Sequence, residues 1–290
     1  MERKLEWVEC PRDAMQGLHH FIPTETKIDY LNTLLGVGFD VLDFGSFVSP
    51  KAIPQLRDTT EVLAGLDLKN TATRLLAIVA NLRGAETAVA YPEITCIGFP
   101  FSISETFQQR NTNSSIHQSL ETVERMQELC VQHNKELVVY ISMAFGNPYN
   151  DPWNTQIALE WTRQIAQMGV QTISLADTVG VAKPEDIASM FLTLLTALPA
   201  INWGAHLHCS TDNWQNKVSA AWQAGCRRFD TAMRGYGGCP MADDQLIGNL
   251  PAENFLSFLD EKGWKPKVIR DEFQKALLKS SEVMEGFRTT

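Results

Sequence analysis

Short β-branched runs alternate with longer stretches of helical periodicity along this chain, and no other feature constrains its fold as strongly. Parallel strands need a crossover between them, and a helix of this length supplies one. About eight such βα units can be counted, which predicts a closed (β/α)8 barrel in preference to an open, doubly wound sheet. Strands are expected at 5–10, 41–44, 75–80, 94–101, 137–143, 172–176, 204–208 and 228–232. Helices are expected at 26–35, 59–65, 83–90, 116–132, 155–168, 184–198 and 213–224, with two more, 251–263 and 270–287, covering the barrel's exterior or end. Pro184 followed by Glu185 and Asp186 is a helix start, while Gly169 and Gly225 stand where helices should stop. With 290 residues, 44% of them hydrophobic, the chain can bury one large core. No linker-like shift or internal repeat divides it, so a single domain over residues 1–290 is expected.

The formal net charge of −9 argues against a nucleic-acid partner, which needs a basic face. An anionic substrate therefore requires a local cationic site. Met1-Glu2-Arg3-Lys4 runs almost directly into an apolar stretch, leaving no room for a targeting peptide, and no apolar run is long enough for a membrane span. A cytoplasmic location is expected. The six cysteines contain no CxxC pair, which fits reduced thiols buried in an intracellular enzyme. Cys239, on a glycine-rich loop, is the exception.

Barrel chemistry collects at the C-terminal ends of strands, and Asp13, Asp43, Asp177, His206 and His208 all fall at or just beyond such ends. In Ala205-His206-Leu207-His208 the imidazoles occupy i and i+2 of a strand and so share a face. Such a pair can hold a metal, or can equally be two hydrogen-bonded structural histidines. Arg12-Asp13 follows the first strand after a rigid proline; in isolation such a dipeptide is a surface ion pair. Joined to the histidines, Asp13 gives a mixed oxygen and nitrogen set without thiolate, which suits Mg²⁺ or Mn²⁺ and is also compatible with zinc or Fe²⁺. Arg234-Gly235-Tyr236-Gly237-Gly238-Cys239-Pro240 is either a plain turn or a mobile loop that carries a thiol to the mouth. Asp177-Thr178 either orients a metal-bound histidine or caps the next helix.

From Val8 to about Gly263 the chain resembles the 3-hydroxy-3-methylglutaryl-CoA lyase family of barrel metallolyases. The motifs, in order, are Pro11-Arg12-Asp13-Ala14-Met15-Gln16, Ser46-Phe47-Val48-Ser49-Pro50-Lys51, Asn81-Leu82-Arg83-Gly84, Asn111-Thr112-Asn113-Ser114-Ser115-Ile116, Ser174-Leu175-Ala176-Asp177-Thr178-Val179-Gly180, His206-Leu207-His208, and Gly237-Gly238-Cys239-Pro240 with Gly248-Asn249. Each alone is weak; their shared order is not. The resemblance implies Asp13, His206, His208 and Asn249 as metal ligands, Arg12 as the essential arginine and Cys239 as the catalytic loop cysteine. It implies an acyl pocket at Gln16, Tyr140, Ser174 and Asp177, with Asn111 near the pantetheine. It also implies an acyl-CoA substrate, a divalent cation, a homodimer, and cleavage of (S)-3-hydroxy-3-methylglutaryl-CoA to acetyl-CoA and acetoacetate.

The sequence departs from that pattern in places. Asp43 stands where the family usually has glutamate, so it either keeps a catalytic role, ordering Arg12 or a metal-bound water, or marks a pocket for a different acyl group. Cys209 follows His208 in place of the common aspartate, the loop from Pro240 to Gly248 is one residue longer than the commonest form, and no cysteine ends the chain. The competing readings are a condensing synthase or lyase for a related 3-hydroxyacyl-CoA, a zinc hydrolase, and a catalytically silent acyl-CoA-binding barrel. A zinc hydrolase would carry HxH on the first strand with further histidines, and six in all is too small a supply.

Overall fold

The computed structural model describes residues 4–237 and 248–287. Among them, eight parallel strands close into a barrel in sequence order: β1 (Glu6–Glu9), β2 (Val41–Ser46), β3 (Arg74–Ile78), β4 (Ile94–Ser102), β5 (Glu136–Ser142), β6 (Thr172–Asp177), β7 (Asn202–Leu207) and β8 (Arg228–Thr231). Pairing of β1 with β8, Glu6 against Arg228 through Glu9 against Thr231, closes the ring. The helices around it are α1 (Pro11–Gln16), α2 (Thr24–Val37), α3 (Thr59–Ala64), α4 (Leu82–Val89), α5 (Glu105–Thr112), α6 (Ile116–Gln132), α7 (Thr155–Gln167), α8 (Pro184–Ala197) and α9 (Trp214–Gln223), followed by α10 (Ala252–Glu261) and α11 (Arg270–Gly286). None of the described helices is long and apolar enough to cross a membrane.

The expected barrel is therefore the observed one, and several element ends have local causes. Ser115 and Gln118 form a reciprocal capping box at the start of α6, so its predicted bounds coincide with the observed ones. Gly169 and Gly225 take positive φ, +92° and +103°, just past α7 and α9, a left-handed conformation that ends a helix at little cost for glycine. Two helices were not expected. Proline at the first position and Asp13 in the first turn favour α1, but its six residues are too few to show a period. The sequence of α5 is polar, with Phe107 its one buried apolar side chain; the Ser104 side chain, accepting from the Phe107 amide, starts it.

Strand alternation sorts the core into two regions. Val8, Cys10, Val41, Leu76, Cys96, Val138 and Tyr140 pack together inside the barrel. Residues of opposite parity, such as Trp7, Phe99, Ile173, Trp203 and Phe229, meet the helices outside. Trp7 lies edge-on to Phe39 and to Phe255 of α10, both at 5.2 Å, which ties the terminal helices to β1. At the N-terminal end of the interior, Arg74 pairs with both Glu6 and Glu136.

Glu9 shares the outward parity of Trp7 and is fully buried, accepting from Thr231 Oγ1 at 2.7 Å and the Met233 amide at 2.6 Å. Burial pushes its pKa up to about 8, against the opposing pull of those hydrogen bonds. The folded protein thus holds a proton there that the unfolded chain has released, so the stability due to neutral Glu9 is lost as pH rises toward 8. Glu9→Gln is expected to flatten this decline; thermal unfolding from pH 5 to 9 should show the variant gaining on the wild type steadily up to about pH 8 and no further above it.

Candidate active site and metal centre

The C-terminal mouth of the barrel opens on a cavity of about 250 Å³, lined among others by Arg12, Asp13, Gln16, Asp43, Asn111, Tyr140, His206 and His208. A larger cavity, about 640 Å³, lies at the opposite end near Glu6, Arg74 and Asn202, but no imidazole or thiol lines it. Imidazole ligand chemistry therefore has its groups in the smaller one.

Arg12 organises this mouth. It projects from α1, and its guanidinium grips Asp43 of β2 through Nε at 3.0 Å and Nη2 at 2.6 Å. Nη1 donates to Asp13 Oδ1 at 3.2 Å and to Gln16 Oε1 at 2.8 Å. Burial works against the charge, but Asp43 and then Asp13 more than offset it, so the arginine is held more firmly protonated than usual. Asp13 is lowered for the converse reason: burial raises it, but Arg12, His206 and His208 together prevail, helped by Asn249. The Asn249 amide donates to Asp13 Oδ2 at 2.7 Å and to the Tyr236 carbonyl, while its backbone pairs with that of His208.

Asp13, His206 and His208 each offer a ligand atom, all within 4.8 Å of one another. His208 is buried; desolvation, with His206 beside it, depresses its pKa to about 4, leaving the neutral ring that ligation requires. His206 shifts the other way, because Asp230 Oδ2, 3.2 Å from Nδ1, outweighs the effect of burial. That carboxylate engages Nδ1 and leaves Nε2 as the nitrogen free for a ligand role. Cys10, His206 and Asp230 form a second convergent group. Its thiol is pushed well up by burial and by the carboxylates nearby, and Asp230 is committed to other partners, so the carboxylate and two imidazoles fit a hard divalent cation better.

Not every expected site residue faces the cavity. Asp177 shares strand parity with Ile173 and Leu175, so its carboxylate points outward to Lys217 Nζ of α9 at 2.6 Å and accepts from the Ala182 amide. It neither orients a histidine nor caps α8, whose N-cap is Lys183; Thr178 lines the cavity instead. Ser174 points inward, but its buried Oγ has no hydrogen-bond partner among the described residues. Cys239 lies outside the described residues. The segment leading toward it can be followed to Gly237, where a Cβ would fall 2.9 Å from the Asp13 carbonyl and 2.7 Å from Asn249 Nδ2. Only glycine fits there. Asp230 is the functional candidate that was not expected; it is the penultimate residue of β8, and its signal was its inward parity opposite His206.

The HMGL-like family model matches residues 4–277. The chain belongs to the HMGL-like family. It is 32% identical over 255 residues to the cytoplasmic 3-hydroxy-3-methylglutaryl-CoA lyase of Rattus norvegicus, covering 87% of this chain and 73% of that one. It is 32% identical over 263 residues to the 3-hydroxy-3-isohexenylglutaryl-CoA/hydroxy-methylglutaryl-CoA lyase of Pseudomonas aeruginosa, covering 90% and 86%. Among solved structures, an HMG-CoA lyase from Acinetobacter baumannii, in complex with coenzyme A and 3-methylmalate, superposes with a TM-score of 0.89 at 29% identity, over 99% of this chain and 92% of that one.

Asp43→Ala leaves Arg12 buried with Asp13 as its remaining carboxylate. Breaking a buried ion pair on one side costs roughly 3–5 kcal/mol, and the loss is expected near the lower end because Asp13 stays. Urea unfolding of Asp43→Ala beside Asp43→Asn, which keeps an acceptor and should lose less, measures it.

Proposed function

We propose that this chain is a divalent-metal-dependent carbon–carbon lyase that cleaves (S)-3-hydroxy-3-methylglutaryl-CoA to acetyl-CoA and acetoacetate. The observation that carries the reading is the convergence of Asp13, His206 and His208 at one mouth with a guanidinium beside them. The names of the family relatives supply the substrate class.

Asp13, His206 and His208 would hold the cation, Mg²⁺ or Mn²⁺, with Asn249 as a fourth ligand through its carbonyl oxygen. Once bound, the cation would act as a Lewis acid toward the substrate's tertiary hydroxyl and lower its pKa. The protein's own part rests on Arg12. Of five guanidinium N–H groups, Nε faces Asp43, Nη1 serves Asp13 and Gln16, and Nη2 gives one bond to Asp43. One Nη2 N–H is left for the thioester oxygen, where negative charge builds as the carbon–carbon bond breaks and an enolate forms. Asp43, in this reading, is a positioning residue that fixes the guanidinium plane, and aspartate does so although it is one methylene shorter than glutamate. Gln16 fixes Arg12 and Asp13 from the third side. Tyr140 stands edge-on to the His206 ring at 5.9 Å and walls the acyl pocket, and Asn111 borders the route for the pantetheine arm. Ser174 and Asp177 support the pocket from behind rather than line it. Cys239 is the proposed proton donor to the acetyl-CoA enolate carbon. We read the chain as a single catalytic domain that acts as a cytoplasmic homodimer.

Incubation with Mn²⁺ and 3-hydroxy-3-methylglutaryl-CoA is expected to release acetoacetate, and chelation to abolish it. Arg12→Gln, which keeps hydrogen-bonding capacity without charge, should lower kcat about 10²–10³-fold with a smaller change in KM. No acetoacetate under these conditions, with turnover of a longer 3-hydroxyacyl analogue such as the isohexenyl one, would assign the pocket to a different acyl group.

A further inference from the structure

Arg228 opens β8, points into the barrel and is 1% exposed. Neither the motifs nor the proposed reaction uses it. The strands around it make room: Arg228 pairs with Gly204 of β7, and Gly204 with Ser174 of β6. A Cβ at position 204 would lie 2.8 Å from Arg228 Nη1 and 2.8 Å from Ser174 Oγ, so the guanidinium occupies space that any side chain there would need. Burial works against the charge, and Asp230, Tyr140 and Glu6 more than offset it, but the hydrogen bonding is incomplete. Among the described residues, Nε and Nη2 find no hydrogen-bond partner, and Glu6 Oε2 comes only within 3.7 Å of Nε. An apolar residue of similar volume would avoid burying this guanidinium but would leave Asp230 buried without its cation.

What the arginine does is hold Asp230. Nη1 donates to Asp230 Oδ1 at 2.9 Å, while Oδ2 of the same carboxylate lies 3.2 Å from His206 Nδ1. Strand register places Asp230 directly opposite His206, one inward position nearer the mouth than Arg228. With Oδ1 pinned, Oδ2 stays aimed at Nδ1, which keeps the imidazole proton on Nδ1 and the lone pair on Nε2. Tyr140 packs edge-on to the same ring at 5.9 Å.

We propose that Arg228 is a positioning residue for the metal centre: acting through Asp230, it holds His206 in the ligating tautomer and orientation. The proposal rests on the reading of His206 as a ligand, and its test uses no substrate.

Mn²⁺ affinity is measured by electron paramagnetic resonance for wild type, Arg228→Met, Asp230→Asn and the double variant. Loss of an outer hydrogen-bond partner typically weakens metal affinity about 10–100-fold, and that range is expected for each single variant, with the double no weaker than the worse single. Arg228→Lys, which restores one donor and also serves if the methionine variant fails to fold, should recover part of the loss. In metal-free protein, ¹⁵N NMR should show His206 protonated on Nδ1 in wild type and a tautomer mixture in Arg228→Met. Wild-type affinity in Arg228→Met, or losses that add fully to those of Asp230→Asn, overturns the proposal and leaves the metal centre standing. A wild type that binds no Mn²⁺ overturns the metal centre itself, and an unchanged tautomer in Arg228→Met then overturns the role of Arg228 independently.

Discussion

A buried guanidinium shared between two carboxylates fixes the mouth of this barrel. Arg12 reaches from α1 to Asp43 on β2 and back to its own neighbour Asp13. Asp43 offsets most of the cost of burying that charge, and without Arg12 the carboxylates would repel each other in a low-dielectric site. Because the same guanidinium donates to Asp13, the carboxylate proposed to bind the cation and the proposed electrophile are held together. The histidines of β7 converge on that unit, with ligand atoms of Asp13, His206 and His208 all within 4.8 Å of one another.

Alternation along each strand decides which polar groups join that unit. On β7, Gly204 and His206 point inward with His208 beyond them, while Trp203, Ala205 and Leu207 pack on the helices. On β8 the inward pair is Arg228 and Asp230. On β6 the same rule turns Asp177 outward to Lys217, although it lies at the strand end where a catalytic role was expected. The polar interior is thus layered, with ion pairs of Arg74 and Arg228 near the bottom, the Asp230–His206 contact above, and Arg12, Asp13 and His208 at the top.

Much of this was legible in the sequence. The alternation of strand and helix gave the barrel, and the i, i+2 spacing of His206 and His208 gave a common face. That Asp43 orders Arg12 was one of the alternatives its position left open, and the structure shows that contact. The rest was hidden for physical reasons. Helix α1 is too short to show a period, and α5 is too polar. The outward turn of Asp177 was readable from parity with Ile173 and Leu175, but its place at a strand end pointed to the mouth. Asp230 and Arg228 escaped notice because a buried carboxylate and guanidinium reveal their purpose only through partners on other strands, and strand register is not written in one segment.

The account stands on one site holding one cation. Crystals grown with Mn²⁺ and measured for anomalous scattering at the manganese edge test it most directly. A single strong peak bounded by Asp13, His206 and His208, with Asp230 outside the first ring of ligands, is the predicted result; a peak seated instead on Cys10 and Asp230, or none at this mouth, would contradict it.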